Sequence, residues 1–432
     1  MCVGAMATAE GASDSPIHVL IVGGGLSGLA TAISVSLAGH KATVFEQSPA
    51  PFDAGSGVVT CPNGTRLLSR WGVGGPDTRQ TFAARWDVCD PRGTALGPDL
   101  MTGHCEGVKA AENCESLPPW TFYRPHLIQA LLRRAEEVGI TARFGARVTR
   151  FNGLADGKTS VMLEDNEMHH GDLVVVADGT GSKSRHLLTH NPVNPTATGY
   201  IAYRITVDRT RVRGPELLAF MDNLCIRTWA GNGSYVSVYP MRNAGFLSMM
   251  VLIPQDQLQQ VVSINGVPSL QHYFKDWDPL LSSMIRAASN ANKWTAVHLL
   301  PERRSEDGSC ILVGDAANTM WPFLSQGLSL DLEDAGTLGC LLGHVRSRSQ
   351  LPAATALYTR IRDARAQRMR DETDVFERQL QTTTGGCRNS EEGFEAETDF
   401  RHKFETGRMA QSWMWSYDAY AEAEAAFNSD PF

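Results

Sequence analysis

Three acidic residues, Glu46, Asp178 and Asp315, each follow a short apolar run: "KATVF", "DLVVVA" and "SCILVG". An acid at the C-terminal end of a buried parallel strand lies where open α/β sheets bind ligands. Its carboxylate can accept hydrogen bonds from ribose or ribitol hydroxyls. Ahead of Glu46 stands "HVLIVGGGLSGLATAISVSLAGH" (18–40), in which Gly23, Gly25 and Gly28 spell G-x-G-x-x-G. Gly23 permits a tight turn, Gly25 lets a diphosphate approach the backbone, and Gly28 lets the following helix pack on the strand. The bare helix start offers N–H donors and a positive dipole end to phosphates. Turn, flanking strands and acid together predict a dinucleotide site, without separating FAD from NAD.

A fourth constellation is "GDAANTMWPFLSQGLSLDLEDA" (314–335). It combines a strand exit, a proline elbow and a Gln-Gly ahead of a helical run. Pro322 stiffens the elbow and has no N–H. Gln326, Gly327 and Leu328 then open a helix whose amides are free to face a ligand. "DLEDA" is expected to be the acidic, outward part of that helix.

These groups must be held by a doubly wound core. His18–Val22, 172–177 and 309–313 read as buried parallel strands. Between the last two, 199–210 and 232–254 alternate with period two and predict an antiparallel sheet with one buried face. Residues 77–114 add a strand or two and a loop. From 351 the chain turns helical, with loop chemistry at "QTTTGGCRNSEEG" (381–393). "RIRDARAQRMRDE" (360–372) mixes its charges as a solvated helix does. "WMWSYDAYAEAEAAF" (413–427) reads as an amphipathic helix on the outside.

With these pieces in place, the chain resembles the group A flavoprotein monooxygenases, of the para-hydroxybenzoate and salicylate hydroxylase type. The glycine turn with Glu46, "GSGVVTCPNGTRLLSRWG", "YRPHLIQALL", "ADGTGSKSR" and "GDAANTMWPFLSQG" carry the resemblance. It is most similar to salicylate-hydroxylase-like enzymes of fungal secondary metabolism. The implied fold is α/β (α+β): a Rossmann-like FAD-binding domain, an antiparallel β-sheet substrate domain and C-terminal helices. The implied layout is a flexible leader (1–15), a discontinuous FAD domain (16–76, 115–190, 298–345), a substrate sheet (77–114, 191–297) and a helical region (346–432). Bound FAD, NAD(P)H as donor and O2 as co-substrate are implied, with oxygen transfer through a flavin C4a-hydroperoxide. The reaction expected is hydroxylation, oxidative decarboxylation or dearomatisation of an aromatic or phenolic small molecule.

Residue by residue, the resemblance implies that Gly23, Gly25, Leu26, Ser27 and Gly28 hold the FAD diphosphate and Glu46 the adenosine ribose. Gly57 and Val58 lie along the flavin, with Arg124 near the phosphates and ribitol and Val148 among the cofactor contacts. Asp178 and Gly179 belong to a stretch associated with FAD and the nicotinamide cofactor. Asp315 binds ribitol, while Pro322, Gln326, Gly327 and Leu328 lie beside the isoalloxazine. Arg204 and Tyr239 resemble substrate-facing positions, and Trp229, Tyr235, Trp321 and Phe323 are candidates for an aromatic wall. At Asn318 the family pattern has His, so a possible proton carrier is missing. That departure motivates a rival reading, an FAD-containing cyclase or isomerase without a redox cycle. A flavin halogenase would carry W-x-W-x-I-P, and a disulfide reductase would need CxxC and a second glycine turn.

Composition narrows the partners. Net charge is −8, from 39 basic and 47 acidic residues, which argues against a nucleic-acid surface. Nine dispersed cysteines fit free thiols in a reducing, cytoplasmic setting better than a disulfide framework. His104 with Cys105, and His169 with His170, lack a second pair at zinc-like spacing, so no metal is expected. No membrane span is expected either, and the chain is expected to be a monomer or a homodimer.

Overall fold

In a computed structural model of the chain, residues 16–51, 55–75, 78–97, 99–101, 117–153, 158–185, 196–257, 267–288, 290–298, 303–382 and 413–432 are described. The leader, His104, Cys105 and the 383–393 part of the C-terminal loop lie outside them.

The apolar run His18–Val22 forms the middle strand of a five-stranded parallel sheet. Leu173–Val176 and Lys41–Glu46 flank it, with Cys310–Leu312 and Thr141–Phe144 at the edges. Its side chains alternate between two cores. Val19 and Ile21 pack with helices Leu26–Leu37, Arg124–Glu137 and Gly327–Gly343. Leu20 and Val22 pack beneath a three-stranded sheet built from Val148–Gly153, Thr159–Leu163 and Met168–Gly171. Coverage on both faces explains why these strands read as unbroken apolar runs. The three exits after Val22, Val176 and Leu312 are adjacent in the sheet, so the residues that follow them share one crevice.

The second layer is a six-stranded sheet in the order 290–298, 196–208, 246–254, 234–241, 225–231, 85–89. All pairs are antiparallel except the last, where Arg85–Cys89 runs parallel to Cys225–Gly231. The expectation of one buried face is corrected: Ser234–Met241 is buried along its whole length. Val236 and Val238 point to helices Pro215–Asp222 and Pro279–Arg286, while Tyr235 and Tyr239 point to a core containing Trp321 and Phe323. A third sheet, Gly57–Thr60, Trp120–Tyr123 and Thr81–Phe82, joins the layers. No helix among the described residues is long and apolar enough to cross a membrane.

Two charge readings are corrected by packing. Glu333 and Asp334 of "DLEDA" are buried, and so are Arg362, Arg365 and Arg370 of helix Leu351–Thr382. Arg362 bonds Glu333 at 2.9 Å and Asp334 at 2.6 Å. Arg365 bonds Glu333 at 2.9 Å, and Arg303 bonds Asp334 at 2.8 Å. Burial alone would raise both carboxyls, but the arginines more than offset it and hold them below the usual range. The charges face inward because two long helices meet there and each side supplies the other's counter-ions. The C-terminal "WMWSYDAYAEAEAAF" breaks at Tyr417-Asp418, where the Asp418 carboxylate caps helix Ala419–Ser429. Met414 and Trp415 before the break are buried, and Trp415 stacks on Trp86.

Candidate cofactor cleft and active site

Each strand exit bends for a local reason. Gly23 has φ +112°, and a Cβ there would lie 2.4 Å from the Ala177 carbonyl oxygen. A Cβ on Gly28 would lie 2.0 Å from the Gly23 carbonyl oxygen, so helix Leu26–Leu37 can reach its strand only without a side chain. A Cβ on Gly25 would meet nothing within 4 Å, because it points into open space. That helix has no side-chain cap, which leaves its first amides as free donors. Glu46 closes the turn from outside: Gly24 N–H donates to Oε2 at 2.7 Å and Ser48 N–H to Oε1 at 2.8 Å.

These groups open onto a cleft of about 930 Å³, within the range of small-molecule and cofactor sites, about 300–1,000 Å³. One end is lined by Gly23, Gly25, Leu26, Ser27, Glu46 and Val148. Gly57, Val58, Arg124, Asp178, Gly179 and Asp315 also line it, with Pro322, Gly327 and Leu328 along the elbow. Arg204, Tyr239 and Trp321 line the sheet side. The Asp178 carboxylate accepts Ser184 N–H at 3.2 Å through Oδ2, while its buried Oδ1 has no hydrogen-bond partner among the described residues. Thr180 Oγ1 donates to Asp315 Oδ2 at 3.3 Å. Burial pushes the Asp315 carboxyl up, and Thr180, Arg124 and Arg204 partly offset this. Gly314, at φ +61°, makes the bend that presents Asp315, and its N–H donates to Asp334 at 2.8 Å.

The elbow residues divide into two sets. Pro322–Leu324 form a single 3-10 turn, and Ser325 turns back with φ +53°. Helix Gly327–Gly343 starts without a side-chain cap, so the amides behind Gly327 and Leu328 are free at the cleft. Gln326 and Asn318 are buried but do not line the cleft. Gln326 Oε1 accepts from Asn63 at 3.0 Å. Asn318 Oδ1 accepts from Arg370 Nη1 at 2.6 Å, which ties the strand exit to the long helix.

At the sheet end, Tyr239 O–H donates to the Gly57 carbonyl at 2.8 Å, and Ser248 Oγ accepts Gly57 N–H at 3.1 Å. Burial raises the Tyr239 phenol, with Arg204 pulling the other way. The Arg204 guanidinium carbon lies 5.3 Å from the Trp294 ring centroid. Its buried Nε has no hydrogen-bond partner among the described residues. Trp321 and Phe323 stack at 5.2 Å, and Tyr200 meets both edge-on. Trp229 faces the other core, where its Nε1 donates to Asp278, and Tyr235 packs on Phe323 behind the wall.

No sequence motif singles out Trp294 or Thr180, and Asp331, expected with the rest of "DLEDA" to face outward, instead lines the cleft. Trp294 sits on an edge strand with no motif around it. Asp331 accepts from Ser27 Oγ at 2.7 Å. Its signal was helical spacing, since it stands three and four residues after Leu328 and Gly327 and shares their face. Away from the cleft, Cys340, His344 and Glu424 converge, with Glu424 accepting from Cys340 Sγ at 3.3 Å and hydrogen-bonded to His344 Nε2 at 3.0 Å.

The open space above Gly25, the two uncapped helix starts and the orphaned Asp178 oxygen fit a flavin dinucleotide. Residues 16–373 match the family model described as an FAD binding domain. The chain is 30% identical over 434 residues to FAD-dependent monooxygenase OpS4 of Beauveria bassiana, covering 96% of this chain and 98% of that protein. It is 26% identical to 3-hydroxybenzoate 6-hydroxylase of Polaromonas naphthalenivorans, over 83% of this chain and 87% of that one. A solved salicylate hydroxylase substrate complex superposes with a TM-score of 0.74 at 21% identity, covering 96% and 98% of the two chains. The chain belongs to the FAD-dependent monooxygenases.

Proposed function

We propose that this enzyme takes electrons from NAD(P)H and one oxygen atom from O2 to oxidise a phenolic or heteroaromatic natural-product intermediate. Bound FAD supplies hydride acceptance and oxygen activation. Gly23, Gly25, Ser27 and the first amides of their helix would hold its diphosphate. Glu46 would hold the adenosine ribose, and Asp315, with Arg124 alongside, the ribitol. The free amides at Gly327 and Leu328 favour negative charge on the ring system, a preorganised dipole effect of about 0.3–2 kcal/mol. Pro322, which has no N–H, would border the ring system from the elbow.

The observation that carries the substrate reading is Arg204. A cation whose Nε has no hydrogen-bond partner among the described residues, set against Trp294 in an aromatic-walled cleft, suits a flat molecule bearing an ionisable hydroxyl. Its positive charge favours the phenolate, the form that attacks electrophilic oxygen faster. Tyr239 is tied to Gly57 and kept as a phenol, so its part is to hold the floor of this end. A non-redox cyclase or isomerase is not favoured, because relatives across most of the chain's length are named monooxygenase or hydroxylase. Asn318, the residue that motivated it, is engaged by Arg370 away from the cleft.

The test is a panel of phenolic polyketides, salicylates and indoles with NADH and NADPH, following reductant oxidation and O2 uptake together. Stimulation of both by a phenolic member supports the reading. Conversion of a member without reductant or O2 would overturn it.

A further inference from the structure

Asp331 is a carboxylate in a place that should repel its ligand. It lines the same cleft wall as Gly327 and Leu328, and its Oδ2 accepts from Ser27 Oγ at 2.7 Å. Ser27 is the second residue of the helix behind the glycine turn, whose uncapped amides are the diphosphate donors. A diphosphate held there therefore lies beside Asp331. Asp315 stands next to Asp331 across the Gly314 bend, where a Cβ on Gly314 would be 3.1 Å from Asp331 Cγ. Arg124 faces both acids, Arg204 faces Asp315, and Asp334 lies behind Asp331 already paired with Arg303 and Arg362. Elsewhere on the cleft walls are Glu46, Asp178, Arg147 and Lys183. Two acids against two arginines are balanced in the free cleft. Adding a diphosphate leaves two negative charges without a partner.

We propose that Asp331 is a cofactor-binding residue that acts as a carboxylic acid: each FAD bound brings one proton from solvent onto Asp331, which then donates to the diphosphate. Burial and the neighbouring Asp315 already push the Asp331 carboxyl well above the usual carboxylate range before any ligand arrives. Ser27 keeps its hydrogen bond to one carboxyl oxygen, leaving the other to carry the proton.

The sign follows from linkage. A group whose pKa is higher in the complex than in the free protein makes binding take up a proton. The FAD dissociation constant is then flat below the free-protein pKa and rises about tenfold per pH unit from there up to the pKa in the complex, the interval in which a proton is taken up. The experiment dilutes the holoenzyme over a pH series and reads released FAD by its fluorescence. Calorimetry in two buffers of different ionisation enthalpy counts the protons exchanged. Wild type is expected to show the rising limb, with uptake of one proton per FAD along that limb. Asp331→Asn keeps the shape and a donor, and should give a pH-independent constant with no proton exchanged. A flat wild-type profile overturns the proposal. So does a rising limb that survives in Asp331→Asn, including the case where only Asp315→Asn abolishes it. The readout is FAD release, so the outcome is independent of the substrate reading.

Discussion

At the scale of single residues, the cleft is made by side chains that are missing as much as by those present. Gly28 is the sharpest case, because its Cβ would lie 2.0 Å from a backbone oxygen that cannot swing aside. Gly28→Ala is expected to push the helix off its strand, at a cost of about 1–3 kcal/mol. FAD per chain, read from the absorbance of purified protein, should fall to a minor fraction, and full flavin content would contradict the packing argument. Arg204 presents the opposite case, a guanidinium whose buried Nε has no hydrogen-bond partner among the described residues. Arg204→Gln removes the charge and keeps polarity. A lost charged hydrogen bond, about 1.5–3 kcal/mol, should lower kcat/KM by roughly ten- to a hundredfold. The pH optimum should also move up toward the phenol's own pKa. Unchanged kinetics with a shifted flavin content would assign Arg204 to the cofactor instead.

Among elements, helix Gly327–Gly343 connects the parts: its first turn lines the cleft, and its second buries Glu333 and Asp334 against helix Leu351–Thr382. Asp334 also receives Gly314 N–H, so the ion network sets the bend that presents Asp315. Arg365→Met leaves the Glu333 carboxylate short of a partner, and breaking a buried pair in this way costs about 3–5 kcal/mol. A large fall in Tm is expected in thermal unfolding at neutral pH, and a change within a degree would remove the network from the account. Acid gives a second reading. Both carboxyls have folded pKa values below the usual range, so their stabilisation is present above the unfolded pKa, about 4, and is lost as pH falls through the folded values. Wild type should therefore lose Tm in that acid window more steeply than Glu333→Gln. Helix, strand exits and glycine turn were all legible in the sequence, because period and glycine spacing are local. The inward direction of "DLEDA" was not, since a charged helical face looks solvated until the arginines 28 to 32 residues away are folded against it.

For the molecule as a whole, the family resemblance was legible in three strand exits recurring in the right order, and the sheet places those exits side by side. The aromatic end was far less readable. Trp294 lies on an edge strand and Tyr235 behind the wall, distinctions set by which face of a sheet a residue occupies rather than by its neighbours in sequence. Asn318 shows the same limit, for it is engaged by an arginine 52 positions later in the chain. The central claim, that this fold transfers one oxygen atom from O2 to an aromatic substrate at the expense of NAD(P)H, is tested most directly by isotope incorporation. Turnover of a phenolic substrate under 18O2 with NAD(P)H should yield product carrying one 18O atom per molecule. Product formed without label, or formed equally well under anaerobic conditions, would contradict it.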